Sequence, residues 1–182
     1  MKATGIVRRI DDLGRVVIPK EIRKTLRIRE GDPLEIFTDR DGEVILKKYS
    51  PIEELSSFAK EYAEALQQSI GGTIIITDKD VIISAVGTAK KEYMDKKIST
   101  ELETIMEGRK TIILGKDSKE VIPIYEDDEK EKYKYQVVAP ILAEGDTVGN
   151  VVFYTEEDEA NFGEVELKLG ETAANFLGKQ ME

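Results

Sequence analysis

Residues 5–37, with the sequence GIVRRIDDLGRVVIPKEIRKTLRIREGDPLEIF, hold a concentrated block of positive charge in an otherwise acidic chain. Residues 1–29 contain nine Lys or Arg and three Asp or Glu, a local excess of six positive charges. The whole chain of 182 residues has a net charge of −10, so the remainder carries −16. This asymmetry predicts a polyanion-binding end joined to an acidic body.

The basic residues of this block have the spacing of a binding face. Pro19 favours the first position of a short helix, because its φ is fixed and it lacks an N–H. Four basic residues then fall on one helix face: Lys20, Arg23, Lys24 and Arg27. Ile22 and Leu26 mark the face expected to pack inward. An ordinary solvated face is the alternative, but charges of nearly one sign on adjoining elements favour a polyanion site.

The order of predicted elements in the first fifty residues indicates a dimer. Two β-branched runs, residues 5–10 and 15–19, flank the turn DDLG, and the short helix follows. Residues 33–37 and 44–48 then predict a hairpin around the turn DRDG. A core of this size is marginal in a single chain. We therefore expect an obligate dimer with shared or exchanged strands, which also doubles the basic surface.

The segments LGRVVIPKEIR and EGDPLEI make residues 1–50 resemble the DNA-binding domain of the AbrB family of bacterial transition-state regulators. The resemblance implies a dimeric swapped-hairpin β-barrel, in which two protomers exchange hairpins, and it implies duplex DNA as the ligand. With its second domain, the chain also resembles transcription factors of spore-forming bacteria. A transcription regulator of sporulation genes, acting as activator and repressor, is the function that follows from this resemblance.

The resemblance also implies which residues contact DNA. The family's contacting positions match Arg8, Arg15, Arg23 and Lys24, with Arg9 and Lys20 as neighbours. At Lys24 the prototype of the family has arginine, and an ammonium can neutralise a phosphate but cannot contact guanine in a bidentate manner. We therefore expect Lys24 to contact the DNA backbone. Strict strand alternation would place Arg8 on the face of Ile6 and Ile10, unless a bulge or a strand end intervenes.

The composition argues against an enzyme. The chain contains no histidine and no cysteine, which removes the usual zinc sites and nucleophile–histidine pairs. Neither GxxxxGK[ST] nor GxGxxG is present, so we predict no catalytic residue, no metal and no cofactor. No apolar run approaches the roughly 20 residues of a membrane span, and residues 1–9 lack a hydrophobic signal region. A cytoplasmic, nucleoid-associated protein is expected.

A linker helix is predicted over residues 51–70. Ser50 would be its N-cap, Pro51 its first residue and Glu53 the partner in a capping box. Apolar residues recur behind this start at three- and four-residue intervals. They are Ile52, Leu55, Phe58, Ala59, Tyr62, Ala65 and Leu66.

Residues 71–182 predict an α/β domain. The patterns indicate hairpins over 73–87 and 135–155, a helix over 90–109, strands over 111–115 and 120–125, and a terminal helix. The apolar stripe of the terminal helix is Phe162, Val165, Leu169, Ala173, Phe176 and Leu177. The segment VVAPILAEGDTVGNVVFY resembles GAF domains. The chain as a whole is thus predicted to be α+β, with a GAF-like sandwich and flanking helices as its second domain.

The GAF resemblance implies a regulatory module that binds a small-molecule effector or serves in oligomerisation, and the sequence singles out no ligand residue. The two long helices either cover their own sheet or pack with those of a second protomer as a four-helix bundle. In the latter case a barrel at one end and a bundle at the other would produce a homotetramer. The alternative function is an antitoxin-like barrel that binds a protein.

Overall fold

The computed structural model divides into two compact units, residues 1–49 and 50–182. Both α-helices and β-strands are present, so the predicted α+β class is confirmed. The residues that the structure describes are 4–54, 56–87, 90–115 and 119–182. Leu55 of the predicted stripe and the side chain of Glu53, the predicted capping-box partner, lie outside the described part.

Over residues 4–49, the first unit has one short helix and one hairpin. Helix α1 spans Lys20–Thr25, strand β1 spans Leu34–Thr38 and strand β2 spans Val44–Lys48. The strands pair antiparallel, from Leu34 opposite Lys48 to Thr38 opposite Val44. In the connecting turn, the Asp39 carboxylate accepts hydrogen bonds from the main-chain N–H groups of residues 41 and 43. The predicted hairpin is therefore confirmed.

The strands predicted over residues 5–10 and 15–19 are absent from the described residues of the single chain. Both segments are non-helical and unpaired apart from a turn, in which the N–H of Asp11 donates to the carbonyl of Arg15 at 3.0 Å. A strand needs a neighbouring edge to satisfy its backbone groups, and β1 and β2 pair with each other instead. The prediction is wrong for the isolated protomer.

These unpaired segments leave large apolar side chains in solvent. Val7 is 85% exposed and Val17 is 71% exposed. Leu26, which the helical pattern placed inward, is also exposed, as are apolar residues of the hairpin. The exposed set comprises Ile6, Val7, Ile10, Leu13, Val16, Val17, Leu26, Ile36, Phe37, Val44 and Leu46. We call this set the apolar patch, and patches of this kind mark interaction surfaces.

The second unit is built on a five-stranded antiparallel sheet with the order β4-β3-β7-β6-β5. Both predicted hairpins are present, and the long one turns at Glu144 and Gly145. The strands are β3 Thr73–Thr77, β4 Ile82–Val86, β5 Ile112–Gly115, β6 Tyr135–Ala143 and β7 Asp146–Thr155.

Helices cover both faces of this sheet, so its central strands are apolar on both sides. The helices are α2 Pro51–Glu54, α3 Ser56–Ile70, α4 Lys90–Tyr93, α5 Thr100–Glu107 and α6 Glu164–Lys179. Ile74 and Ile76 pack in a core with α3 and α6. Ile75, between them, faces the opposite core with α4 and α5. This alternation follows the two-residue period of a strand and produces a three-layer sandwich.

The helix predicted over residues 90–109 is two helices. The chain leaves α4 at Asp95, where φ is +63°. It then runs extended beside β4, and the N–H of Ile98 donates to the main-chain carbonyl of Asp80 at 2.9 Å. Ser99 caps α5 by accepting from the N–H of Leu102 at 3.0 Å. Pairing with the β4 edge, a tertiary contact, therefore interrupts the helical pattern.

The strand predicted over residues 120–125 is only an isolated bridge between Tyr125 and Ile98. The backbone N–H and carbonyl of Ile122 form hydrogen bonds with the fully buried side chain of Gln136 and not with a neighbouring strand. Oε1 of Gln136 accepts from the Ile122 N–H at 2.9 Å, and its Nε2 donates to the Ile122 carbonyl at 2.8 Å. This amide clamp replaces strand pairing.

Helix α6 lies so close to β6 that one helix position tolerates no side chain. A Cβ at Gly178 would overlap the backbone carbonyl oxygen of Leu142. We expect Gly178→Ala to lower the free energy of unfolding by about 1–3 kcal/mol, because the helix must shift away from the sheet. Asn175→Ala, at an exposed position of the same helix, should change it by less than about 0.5 kcal/mol. Urea unfolding of both variants checks the prediction.

Candidate nucleic-acid interface

The six predicted contact residues lie on three consecutive segments of the first unit. Arg8 and Arg9 are exposed on the extended segment before the turn, and Arg15 follows the turn. Lys20, Arg23 and Lys24 lie on α1 at i, i+3 and i+4, and therefore share one face of the helix. Lys20 and Lys24 are exposed, whereas Arg23 is half-buried.

The turn that carries Arg15 is organised by Asp11. One oxygen of its carboxylate accepts the main-chain N–H groups of Leu13 at 3.0 Å and Arg15 at 2.8 Å. The other oxygen lies 2.8 Å from Nε of Arg15. These hydrogen bonds, chiefly those from Arg15, lower the pKa of Asp11. Arg15 is thereby oriented while its side chain stays 69% exposed, and the guanidinium has four further N–H donors.

Arg23 has an unsatisfied donor. Its Nε is buried and has no hydrogen-bond partner among the described residues. A buried polar group of this kind is costly unless a partner is supplied. The helix begins at Lys20 with Pro19 as N-cap, one residue later than predicted, and boundaries of helices vary by this much.

Arg27 lies beyond the helix and not on its basic face, so this part of the prediction is wrong. Its φ is +52°, and its N–H donates to the carbonyl of Lys24 at 3.3 Å. The next N–H along the chain, that of Ile28, donates to the main-chain carbonyl of Arg23 at 2.7 Å. This pair of bonds is a Schellman motif, which ends a helix with a left-handed residue that is usually glycine.

A glycine at this position should stabilise the protein. The left-handed conformation costs a residue with a Cβ roughly 1–2 kcal/mol. We therefore expect Arg27→Gly to unfold at a higher urea concentration than Arg27→Ala, with a difference of about 1 kcal/mol in the free energy of unfolding. The two variants remove the same charged side chain, so the comparison isolates backbone strain. Equal stabilities would contradict the assignment of a strained C-terminal residue.

Two aspartates that sequence reasoning did not single out hold this unit together. Asp11 acts in the turn, and the nearly buried Asp32 accepts the N–H of Arg29 at 2.8 Å. Lys48 Nζ lies 3.9 Å from Asp32 and donates to the carbonyl of Arg27 at 2.9 Å. The signal for Asp11 was its place before the turn residue Gly14, where Asp commonly bonds its own backbone. Asp32 had no comparable signal, because its partner Lys48 on β2 is remote in the sequence.

The described residues contain no group of three or more acidic side chains arranged to hold a metal ion. In the part of the chain that the structure describes, no helix combines the length and apolarity needed to cross a bilayer.

Comparison with protein families gives two matches that divide the chain. The profile of the C-terminal domain of stage V sporulation protein T, described as a transcription factor, matches residues 54–182. The profile of the bacterial antitoxin MazE, described as an antidote for toxin recognition, matches residues 7–54.

Individual relatives agree with this division. Stage V sporulation protein T of Bacillus subtilis is 59% identical over 182 residues, which is 100% of this chain and 99% of that protein. The transition state regulatory protein AbrB of the same organism is 65% identical over 51 residues, 28% of this chain and 52% of AbrB. A GAF domain/HD domain protein from Geobacter sulfurreducens superposes with a TM-score of 0.55 at 11% identity, covering 74% of this chain and 98% of that one. That likeness shows the GAF fold alone.

The basic N-terminal unit and the GAF-like sheet together define a two-domain transcription regulator of the AbrB type. The match of residues 54–182 to the C-terminal domain profile and the similarity over the full length identify the particular family of regulators. The chain belongs to the stage V sporulation protein T family.

Proposed function

We propose that this transcription regulator of sporulation genes binds duplex DNA through the basic surface of residues 1–50, as activator and as repressor. Residues 51–182 then serve as its regulatory and oligomerisation part. The observation that carries the proposal is α1, which places Lys20, Arg23 and Lys24 on one face, with the two lysines exposed. A phosphate oxygen is a strong acceptor for the guanidinium and ammonium groups of these side chains.

The six basic residues have different tasks in this proposal. The ammonium groups of Lys20 and Lys24 neutralise phosphates, as point charges do. The arginines neutralise phosphates as well. Arginine can also contact guanine in a bidentate manner, so any base reading falls to the arginines. Arg8, Arg9, Arg15 and Arg23 are the candidates. Asp11 positions Arg15 through their 2.8 Å ion pair.

Completion of the first unit by a second protomer is part of the same proposal. The apolar patch and the unpaired backbone of residues 5–10 and 15–19 are what a swapped-hairpin barrel would cover. In such a barrel, these segments pair with their counterparts from the partner. Each barrel then presents two copies of the basic surface to DNA.

The second unit carries a separate surface suited to self-association. The ring of Phe176 on α6 packs in a tilted arrangement against those of Tyr62 and Phe58 on α3, with ring centroids 5.1 and 5.8 Å apart. Phe176 remains 39% exposed and Val165, also on α6, is exposed. We propose that α3 and α6 of two protomers form a four-helix bundle. Barrel and bundle together would build a tetramer.

Phe176→Asp is expected to convert the tetramer into a dimer that still binds DNA. An aspartate in the bundle would be buried without a partner, whereas the barrels are unchanged. Asn175→Asp adds the same charge one residue away at an exposed position and should leave the tetramer intact. Sedimentation velocity gives the masses. A tetramer in both variants would contradict the bundle.

Binding of a fluorescent duplex by the full chain, followed by anisotropy, tests the proposed function. A single strand of the same sequence is the control. Residues 1–50 contain only two aromatic side chains, Phe37 and Tyr49, and stacking platforms are what single strands require. We expect clear preference for the duplex. Equal affinities, or no binding, would contradict the proposal.

The match to an antitoxin profile over residues 7–54 favours one alternative, a barrel that binds a toxin protein. Antitoxins of this fold typically neutralise through an extended disordered tail. The second unit here has a sheet with two packed faces. Limited proteolysis distinguishes the two functions: a resistant fragment of residues 50–182 favours the regulator, and rapid trimming to about residue 50 favours the antitoxin.

A further inference from the structure

Four tyrosines meet on the side of the sheet that α4 and α5 cover. The hydroxyl of Tyr154 donates to that of Tyr93 at 2.8 Å, and the hydroxyls of Tyr93 and Tyr133 are 3.2 Å apart. Tyr133 donates to the carboxylate of Asp128 at 2.6 Å. Burial, together with the hydrogen bond to Asp128, raises the pKa of Tyr133. The hydroxyls thus form a hydrogen-bonded chain that ends on the carboxylate of Asp128.

The carboxylates of Asp128 and Glu92 hold an ammonium group, which is that of Lys132. Its Nζ lies 2.9 Å from Asp128 and 3.2 Å from Glu92. The side chain of Asp128 is fully buried, and its second oxygen also accepts the N–H of Ile124 at 2.8 Å. Burial lowers the pKa of Lys132, but its bonds to Asp128 and Tyr93 outweigh this effect, so the pKa is raised.

Three of the tyrosine rings surround the same ammonium group. Nζ of Lys132 lies 5.1 Å from the ring centroids of Tyr93 and Tyr133 and 5.5 Å from that of Tyr125. Each distance is within the range of a cation–π interaction. Lys96 lies 5.3 Å from the Tyr125 ring as well. We call Tyr93, Tyr125, Tyr133, Asp128 and Glu92 the ammonium cage.

The segment that brings Lys132 to the cage is held by polar contacts. Residues 126–132, EDDEKEK, contain no apolar side chain and carry a net charge of −3. The segment has only one turn of regular structure, the 3-10 helix Lys130–Lys132. The Lys132 side chain is 24% exposed, so solvent reaches the occupied cage. The negative charge beside it favours the approach of a cation over an anion.

We propose that the ammonium cage is a binding site for a primary alkylammonium group, that Lys132 is its resident occupant, and that a small aliphatic amine enters by displacing it. Two carboxylates require N–H donors, which a quaternary ammonium lacks, and the rings require a cation with an apolar neighbour. A neutral or anionic ligand would leave the buried carboxylate of Asp128 without a countercharge. The site lies wholly within the second unit, so its test is independent of DNA binding.

Lys132→Ala in the full chain empties the cage and tests the site with n-butylammonium as the probe. We expect n-butylammonium to raise the melting temperature of this variant saturably, because a ligand that binds only the folded state stabilises it. Tetramethylammonium and potassium, at equal ionic strength, should not. The wild type should bind n-butylammonium about tenfold or more weakly, since its tethered lysine competes at a high effective concentration. Tyrosine fluorescence follows binding, because the chain has no tryptophan and four of its seven tyrosines lie in this cluster.

Two further measurements make the test decisive. Lys132→Met fills the same space without a charge, and it should show no saturable response to n-butylammonium. If Lys132→Ala does not fold alone, refolding with n-butylammonium should recover folded protein that potassium chloride does not recover. Identical responses to n-butylammonium and potassium in Lys132→Ala, in either format, would overturn the proposal. Saturable binding to the wild type no weaker than to Lys132→Ala would overturn the assignment of Lys132 as occupant.

Discussion

Arg23→Ala and Arg15→Ala are each expected to weaken duplex binding about a hundredfold or more at moderate salt. Each substitution removes two charged contacts per barrel, and a hydrogen bond to a charged group is worth about 1.5–3 kcal/mol. The log–log salt slope should also become shallower by about 2 in each variant, because a lost phosphate contact reduces it by about 1.

Arg40→Ala is the matched control for these two variants. Arg40 is exposed in the turn between β1 and β2, belongs to the same unit, and is not among the proposed contacts. Its removal changes the net charge by the same amount as Arg15→Ala or Arg23→Ala does. It should alter the affinity for the duplex only about twofold to threefold, through long-range electrostatics. Circular dichroism confirms that all three variants are folded. Equal losses in all three would mean that binding follows net charge and not a defined face.

Val17→Asp is expected to abolish both barrel assembly and DNA binding. Val17 is 71% exposed in the single chain, yet the proposed exchange of hairpins buries it between protomers. A charge there would be desolvated without a partner, which costs several kcal/mol. The tetramer should therefore fall to a dimer joined through the second unit. Sedimentation velocity together with anisotropy measures both effects.

Val17→Ile retains an apolar β-branched side chain and should retain the tetramer and DNA binding. The predicted outcomes also separate the two interfaces, because Phe176→Asp yields a dimer that binds DNA and Val17→Asp one that does not. A Val17→Asp variant that remains tetrameric and binds DNA would contradict the swapped barrel.

Local sequence patterns were sufficient to predict an element of secondary structure where its own residues determine it. The hairpin of β6 and β7 follows from alternation on either side of Glu144 and Gly145, and the structure places the turn there. The α6 stripe correctly included Ala173 and Leu177, which are fully buried. Charge spacing also located Lys20, Arg23 and Lys24 on one helix, although their contact with DNA stays a prediction.

Local sequence patterns were insufficient to predict the structure of a segment where a residue remote in the sequence determines it. The side chain of Gln136 on β6 hydrogen-bonds the backbone of Ile122. The apolar run around Ile122, which has the pattern of a strand, therefore does not pair as one. The break at Asp95 similarly depends on hydrogen bonds to the β4 edge. Residues 5–10 and 15–19 depend on a second protomer in our proposal. The ammonium cage joins residues from Glu92 to Tyr133, and no local spacing in the sequence predicts it.

The basic surface of residues 1–50 is proposed to bind the phosphates of duplex DNA. The affinity of the full chain for a fluorescent duplex across a salt series tests this interface. About six to eight phosphate contacts from two protomers predict a log–log slope near −5 to −7. A slope in that range supports the basic surface as the DNA interface, and a slope near zero would contradict it.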